Sequence, residues 1–257
     1  MPRFDNLASP ADVIYTYDGG FDGFLCCVYE SVYSHEIPID IFPHYDAPLT
    51  LISLKHIERD NEKAKRVLCS IRSKISARAL ELVHTVFLSC LKKKELHLLR
   101  FLIKGYAEGG RLVHSLGDPV TAPLLTAERH LLGEAHLLKG FIRFFDVGGA
   151  LVSQINPKNF VLPFIANHFC LRFTSENFMI FDKTNKAALV YTNHQKSIIG
   201  LDSLEVPDIT ENEAAYQTLW KHFYNTVAIE GRDNPRCRMT HMPKRYWENM
   251  LEVSELL

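Results

Sequence analysis

The chain has 257 residues, enough for one large domain or two modest ones, and is 47% hydrophobic and 11% aromatic. That composition excludes a disordered chain, and a formal charge of -1 excludes a global polycation. Any binding of nucleic acid must therefore use a local basic patch, with acidic residues placed elsewhere.

The first predicted element is the β-branched and aromatic run 13–17, which ends at Asp18-Gly19-Gly20. Phe24, Leu25, Val28, Tyr29 and Val32 then recur at helical spacing, so the chain opens as strand, glycine turn, helix. Glycines in that place can cradle a phosphate. The spacing is not G-x-G-x-x-G, however, and Asp22 reads better as a cap or first-turn acid. Residues 36–54 contain Pro38, Pro43 and Pro48 and read as an extended connector.

A helical tract follows, with Ala64, Val67, Leu68, Ile71 and Ile75 on one face. Lys63, Lys65, Arg66, Arg72, Lys74 and Arg78 surround that face, either as a solvated surface or as an approach to phosphates. Leu80, Val83, Phe87 and Leu91 mark a second helix. Leu98, Leu99, Leu102, Ile103 and Tyr106 mark a third, which Gly109-Gly110 kinks or ends. A fourth is predicted over about 123–139, with Leu124, Leu131 and Leu138 at heptad spacing and Gly140 as its stop. No internal repeat accompanies these helices, which argues against an α-solenoid.

From Phe141 the period shortens. FIRFFDV and ALVSQI predict two strands joined at Gly148-Gly149. The apolar run 160–173 leans to helix. FMIFDKTNKAALVY repeats the strand–turn–strand pattern around 182–186, and one more strand is expected near 197–201. Thr210-x-x-Glu213 is a capping box that opens a helix carrying Tyr216, Leu219, Trp220, Phe223 and Val227 on one face. The turn RDNPRCRMTHMP comes next, and a last helix opens on Pro243. Trp220, Phe223 and at least one of Tyr246 and Trp247 are expected in the core.

These elements predict an α+β fold, with a helix-rich N-terminal half and an antiparallel sheet of four or five strands with flanking helices in the C-terminal half. The division suggested is an N-terminal strand-plus-helical region, 1–120, and a C-terminal α+β domain, 121–257. Six cysteines, at 26, 27, 69, 90, 170 and 237, form no C-x-x-C or zinc-finger spacing, and adjacent Cys26-Cys27 suits a disulfide poorly. Their apolar neighbours predict reduced core thiols. The opening MPRFDNLASPADV lacks a secretory apolar region, and no apolar run nears the ~20 residues that span a bilayer. A cytoplasmic protein without membrane association is expected.

Motifs for chemistry are sparse. His130 and His136 are six apart, on different sides of a helix, unlike the i, i+4 pair of a zinc hydrolase. His84 and Glu81 meet at i, i+3 in a tract that looks structural. There is no G-x-S-x-G elbow, Walker A sequence, zinc-deaminase motif or three-cysteine radical-SAM loop, so no catalytic centre, metal or cofactor is read from the residues.

The basic residues say more. Arg143, placed on a strand with Phe141 and Phe145, can stack on aromatics and reach a phosphate or base, or pair with a carboxylate across the sheet. Arg232, Arg236, Arg238, Lys244 and Arg245 put five cations into 232–245, beside the two tryptophans. Guanidinium forks suit phosphates, and nearby aromatics can stack on an exposed base. The nucleic-acid-binding candidates are therefore Arg143, Arg232, Asn234, Arg236, Arg238, Lys244 and Arg245. The competing reading makes them surface groups that satisfy helix carboxyl ends and carboxylates.

IYTYDGGFDGFLCCVYE, HLLKGFIRFFDVGG and above all LWKHFYNTVAIEGRDNPRCRMTHMPKRYW resemble a bacterial family of DNA metabolism and repair proteins. Its large C-terminal part is a domain of unknown function. Members of that family accompany a radical-SAM protein similar to spore photoproduct lyase, and a related domain follows uracil-DNA-glycosylase-like proteins. The matching positions are Arg143 and Phe144 centrally, then Arg232, Asn234, Pro235, Met242, Pro243, Tyr246 and Trp247. The resemblance implies a DNA-repair association and carries no catalytic residue over. It favours a DNA-binding accessory partner of a radical-SAM enzyme. Two alternatives stay open: a glycosylase- or lyase-like enzyme acting itself on damaged DNA or nucleotides, and a protein-interaction scaffold without nucleic-acid contact.

Overall fold

Residues 10–205, 210–229, 231 and 234–253 are described by the computed structural model. The chain separates into two units, Met1–Leu131 and Leu132–Leu257.

In the first unit β1 (Pro10–Tyr17) leads through the glycine turn into α1 (Phe21–Ser34) and back to β2 (Ile37–Pro43), and β3 (Ser53–His56) completes a parallel sheet of order β2-β1-β3. Ile14, Tyr15, Thr16 and Tyr17 are all buried, as expected of a central parallel strand covered on both faces. The prolines of 36–54 hide β2 and β3 from a reading of the sequence, and that "connector" is corrected here to two paired strands. Pro38 is tolerated because β2 lies at the sheet edge, where a missing N–H breaks no ladder.

Four helices follow the sheet in the chain. Asp60 caps α2 (Asn61–Ser70) by accepting from the N–H groups of Glu62 and Lys63. A wide turn over Ile71–Ile75 buries both of its isoleucines, and Ser76 then caps α3 (Ala77–Phe87). In α4 (Lys94–Glu108) Leu98, Leu99, Phe101 and Leu102 are fully buried. Gly109, at φ 76°, ends that helix, and a Cβ on Gly110 would lie 2.7 Å from the Ile75 carbonyl oxygen. Only glycine allows that approach. In α5 (Thr121–Phe141) the heptad leucines Leu124, Leu131 and Leu138 are all buried.

The second unit is built on a five-stranded sheet of order β4-β5-β6-β7-β8: β4 (Phe145–Val147), β5 (Ala150–Ile155), β6 (Asn177–Asp182), β7 (Ala187–Thr192) and β8 (Gln195–Gly200). Gly148 and Gly149, both at positive φ, make the β4–β5 turn. The sheet is mostly antiparallel, but β5 and β6 pair in parallel, because α6 (Leu162–Arg172) spans them as a crossover. After the sheet come α7 (Glu211–Val227), the short α8 (Pro235–His241) and a 3-10 turn, Lys244–Asn249. Tyr246, Trp247, Met250 and Val253 enter a core shared with Ile165, Phe169, Phe178, Ile180 and Leu189. Both Tyr246 and Trp247 are thus interior. The fold is α+β as the sequence predicts, with the unpredicted parallel sheet added at the N-terminus.

Core thiols are confined to Cys26 and Cys27. Cys69, Cys90 and Cys237 are exposed and Cys170 is half-buried, which corrects the uniform core assignment. Among the described residues, no helix is long and apolar enough to cross a membrane.

Candidate nucleic-acid interface

The helix α7 begins as its sequence requires and then departs from expectation. Thr210 caps it by accepting from the Glu213 N–H at 3.2 Å. The reciprocal half of the box is absent. Glu213 instead accepts from the Asp146 N–H on β4 and from Gln217, and so ties the helix start to the sheet. Glu213 is the buried residue of this helix. Tyr216 is 68% exposed, Trp220 38% and Phe223 58%. Trp220 and Phe223, expected in the core, are corrected to surface groups. A 3.6-residue period marks a face, and the residues that would cover it must come from elsewhere in the fold.

Arg143 is also placed differently. Phe141 closes α5 and β4 starts only at Phe145, so Arg143 stands in the intervening loop and not on a strand. Its guanidinium donates to the carbonyls of Gly140 (2.8 Å) and Ile142 (3.2 Å), which the helix end leaves without partners. It also donates from Nη2 (2.6 Å) and Nε (3.2 Å) to Oε1 of Glu252, whose side chain is 3% exposed. The other oxygen of Glu252 accepts from Nε1 of Trp220 at 3.1 Å, and the Arg143 guanidinium lies 5.6 Å from the Trp220 ring centre. Burial alone would raise the Glu252 carboxyl, but the Arg143 and Trp220 donors hold it below the usual carboxylate range. An indole in the middle of a surface helix is thereby fixed at its edge.

Between α7 and the ends of α5 and α6 opens a cleft of about 810 Å³. Three cations line it: Lys139 in the last turn of α5, Arg143, and Arg172 in the last turn of α6. Phe144, Phe169 and Phe173 line it from below, Phe144 meeting the other two edge-on at 5.5 and 5.1 Å. Tyr216, Trp220 and Phe223 form the α7 side. Beside it, His168 is held below its usual range by burial and then by the positive charges of Lys139 and Arg172. The carboxylate in the lining, Glu213, is already engaged as described. This arrangement offers positive charge and ring faces together, which suits a phosphate-linked aromatic ligand.

The C-terminal basic candidates are spread over several environments. Arg232 lies outside the described residues. Asn234 caps α8, accepting from the Cys237 N–H at 3.0 Å, with Pro235 at the first helical position. Arg236 is exposed on α8 and Arg238 is half-buried. Lys244 covers the Trp247 ring at 5.5 Å. Arg245 stacks on Tyr246 at 4.6 Å and pairs at 3.1 Å with Glu134. The Glu134 carboxylate also accepts from the N–H groups of Lys158 and Asn159. Lys244 and Arg245 therefore brace the core around Trp247 and Tyr246. Where the sequence predicts a turn and then a helix from Pro243, the described residues form a short helix, Pro235–His241, and a 3-10 turn, Lys244–Asn249.

The basic helix tract of the first unit is likewise engaged in part, Arg78 with Glu128 at 2.7 Å and Lys63 over the Tyr29 ring. At the glycine turn Asp18 accepts from the Gly20 N–H, and Asp22 pairs with Arg59 at 2.6 Å, so the chain's own carboxylates occupy the start of α1. Among the described residues, no group of three or more His, Cys, Asp or Glu side chains could hold a metal ion.

Lys139, Arg172, Tyr216, Trp220 and Phe223 were not singled out as site residues from sequence. Both cations sit in the last turns of their helices, where a cation commonly complements the helix dipole, and that masks a second role.

Residues 92–252 match DUF4130, a domain of unknown function, over more than half of the chain. The chain belongs to this family. The DUF4130 segment contains the whole cleft and all the C-terminal basic candidates. No curated protein matches the chain. A solved chain described as a pGpG-specific phosphodiesterase, PggH, from Vibrio cholerae is similar at 10% identity, covering 69% of this chain and 81% of that one, with a TM-score of 0.34. At that score the likeness carries no argument.

Proposed function

We propose that this DUF4130 protein binds nucleic acid through the cleft of its second unit, as a DNA-binding accessory protein in DNA repair or metabolism. One observation carries the reading: Lys139, Arg143 and Arg172 surround a single opening whose walls are phenylalanine, tyrosine and tryptophan rings. Phosphates are met by the cations and bases by the rings. Arg143 serves here mainly by holding Trp220, since its donors are already used within the protein. Arg236, exposed on α8, adds a further phosphate contact. A radical-SAM, spore-photoproduct-lyase-like partner supplies the chemistry in this proposal. That part is supported by the sequence resemblance, and co-purification of the two proteins tests it.

Retention on DNA should weaken steeply with salt, because displaced counterions drive the association. Replacing Lys139 and Arg172 together by glutamine removes two contacts, and the slope of log affinity against log salt should fall by about 1.4–1.8. Binding whose salt slope is unchanged in that variant would overturn the assignment to the cleft.

A further inference from the structure

We infer that the ligand of this cleft is single-stranded or locally opened nucleic acid, with one or more bases lifted out of the stack. The inference rests on the nucleic-acid reading above and adds the strand state to it.

Tyr216, Trp220 and Phe223 stand at i, i+4 and i+7 of α7, exposed on the side that borders the cations. A closed duplex presents phosphates and base edges, and its base faces are already stacked on one another. Ring faces on a protein gain nothing from it unless a base leaves the stack. The Trp220 ring is prepared for such a base. Its edge is anchored through Nε1 to Glu252 at 3.1 Å, and the Arg143 guanidinium lies over the ring, so little rotational freedom remains to be lost on binding. Phe223 lies 5.9 Å away at a 32° tilt and extends the surface.

Charge decides against an apolar helix or peptide as occupant. Lys139, Arg143 and Arg172 line the opening against the one carboxylate of its lining, Glu213, and a polyanion neutralises that excess of positive charge where an apolar segment does not. The Glu213 carboxylate in the cleft is taken up by Asp146 and Gln217, so recognition rests on ring faces, which every base possesses. Weak base preference follows.

Trp220 and Trp247 are the chain's two tryptophans, and Trp247 is only 4% exposed, so fluorescence quenching by a ligand reports on Trp220. The full chain is titrated with three probes: a thymidine 12-mer strand, the corresponding closed duplex, and a 12-mer abasic strand with the same phosphates. The base-bearing strand should quench, and should bind more tightly than the abasic strand by on the order of 5- to 150-fold for each stacked base. Trp220→Ala lacks the reporter and is followed by DNA retention instead; it should reduce the ratio of base-bearing to abasic affinity, with Tyr216 and Phe223 keeping the remainder. Trp220→Phe keeps a ring without the Glu252 anchor and should fall between.

Equal affinity for base-bearing and abasic strands, or duplex binding as tight as single-strand binding, would overturn the inference while leaving phosphate binding at the cleft intact. Failure of all three probes to bind would remove the nucleic-acid reading as well. Burial of Trp220 by a co-purifying protein would then hand the α7 surface to a protein partner.

Discussion

The two tryptophans of this chain both sit in helical segments and have opposite fates. Trp247 is 4% exposed; its Nε1 donates to the Met242 carbonyl at 2.8 Å, and its ring joins the core of the second unit. Trp220 is 38% exposed on α7, anchored at one edge by Glu252. The Trp247 ring is held on every side by core groups and Lys244, whereas the face bearing Trp220 borders a cleft. An apolar stripe at helical period therefore shows which residues share a side and leaves open what that side meets.

Mutation should separate the two. Trp247→Ala removes a buried aromatic and should cost about 3–5 kcal/mol, whereas Trp220→Ala, which takes one donor from Glu252, should cost about 1–2 kcal/mol. Denaturant unfolding of both variants measures this, and similar losses would erase the distinction between core and platform.

A smaller effect is expected at the group beneath the platform. Glu252→Gln leaves Arg143 facing a neutral acceptor and should cost about 1–2 kcal/mol at neutral pH. The folded carboxyl lies below its unfolded value, so its contribution is complete above the unfolded glutamate pKa, about 4.3, and is lost as pH falls through the folded value. Wild type and variant should therefore converge once the pH has fallen below the folded carboxyl's pKa. A difference that persists there would show that the stability does not come from the ionised pair.

The smallest effects distinguish the C-terminal cations. Arg245→Ala leaves Glu134 buried without its cation, though still hydrogen-bonded to backbone, and should cost about 1–2 kcal/mol. Arg236→Ala should stay within about 0.5 kcal/mol in stability and lower DNA retention slightly. Thermal unfolding of the pair checks the order; equal losses would contradict the bracing role of Arg245.

Most elements were legible because they depend on near neighbours. Thr210 caps α7 through a bond to the residue three positions on, and Gly148-Gly149 turns the chain by its own φ values. The first sheet was not legible, since β2 and β3 carry little alternation and are recognised only once paired with β1. At the site, Arg143 was visible as an unusual arginine among aromatics. Its bond to Glu252, 109 positions along the chain, could not be read from spacing.

By itself the sequence determined an α+β chain with capped helices, a glycine-turned hairpin and an aromatic stripe on α7, because caps, turns and periods are local properties of the backbone and its nearest side chains. The tertiary structure decided which aromatic stripe is core, that β5 and β6 run parallel, and that Lys139 and Arg172 meet Trp220 across one opening. Those outcomes depend on contacts between residues far apart in the chain, and residue type alone does not specify which distant partner arrives.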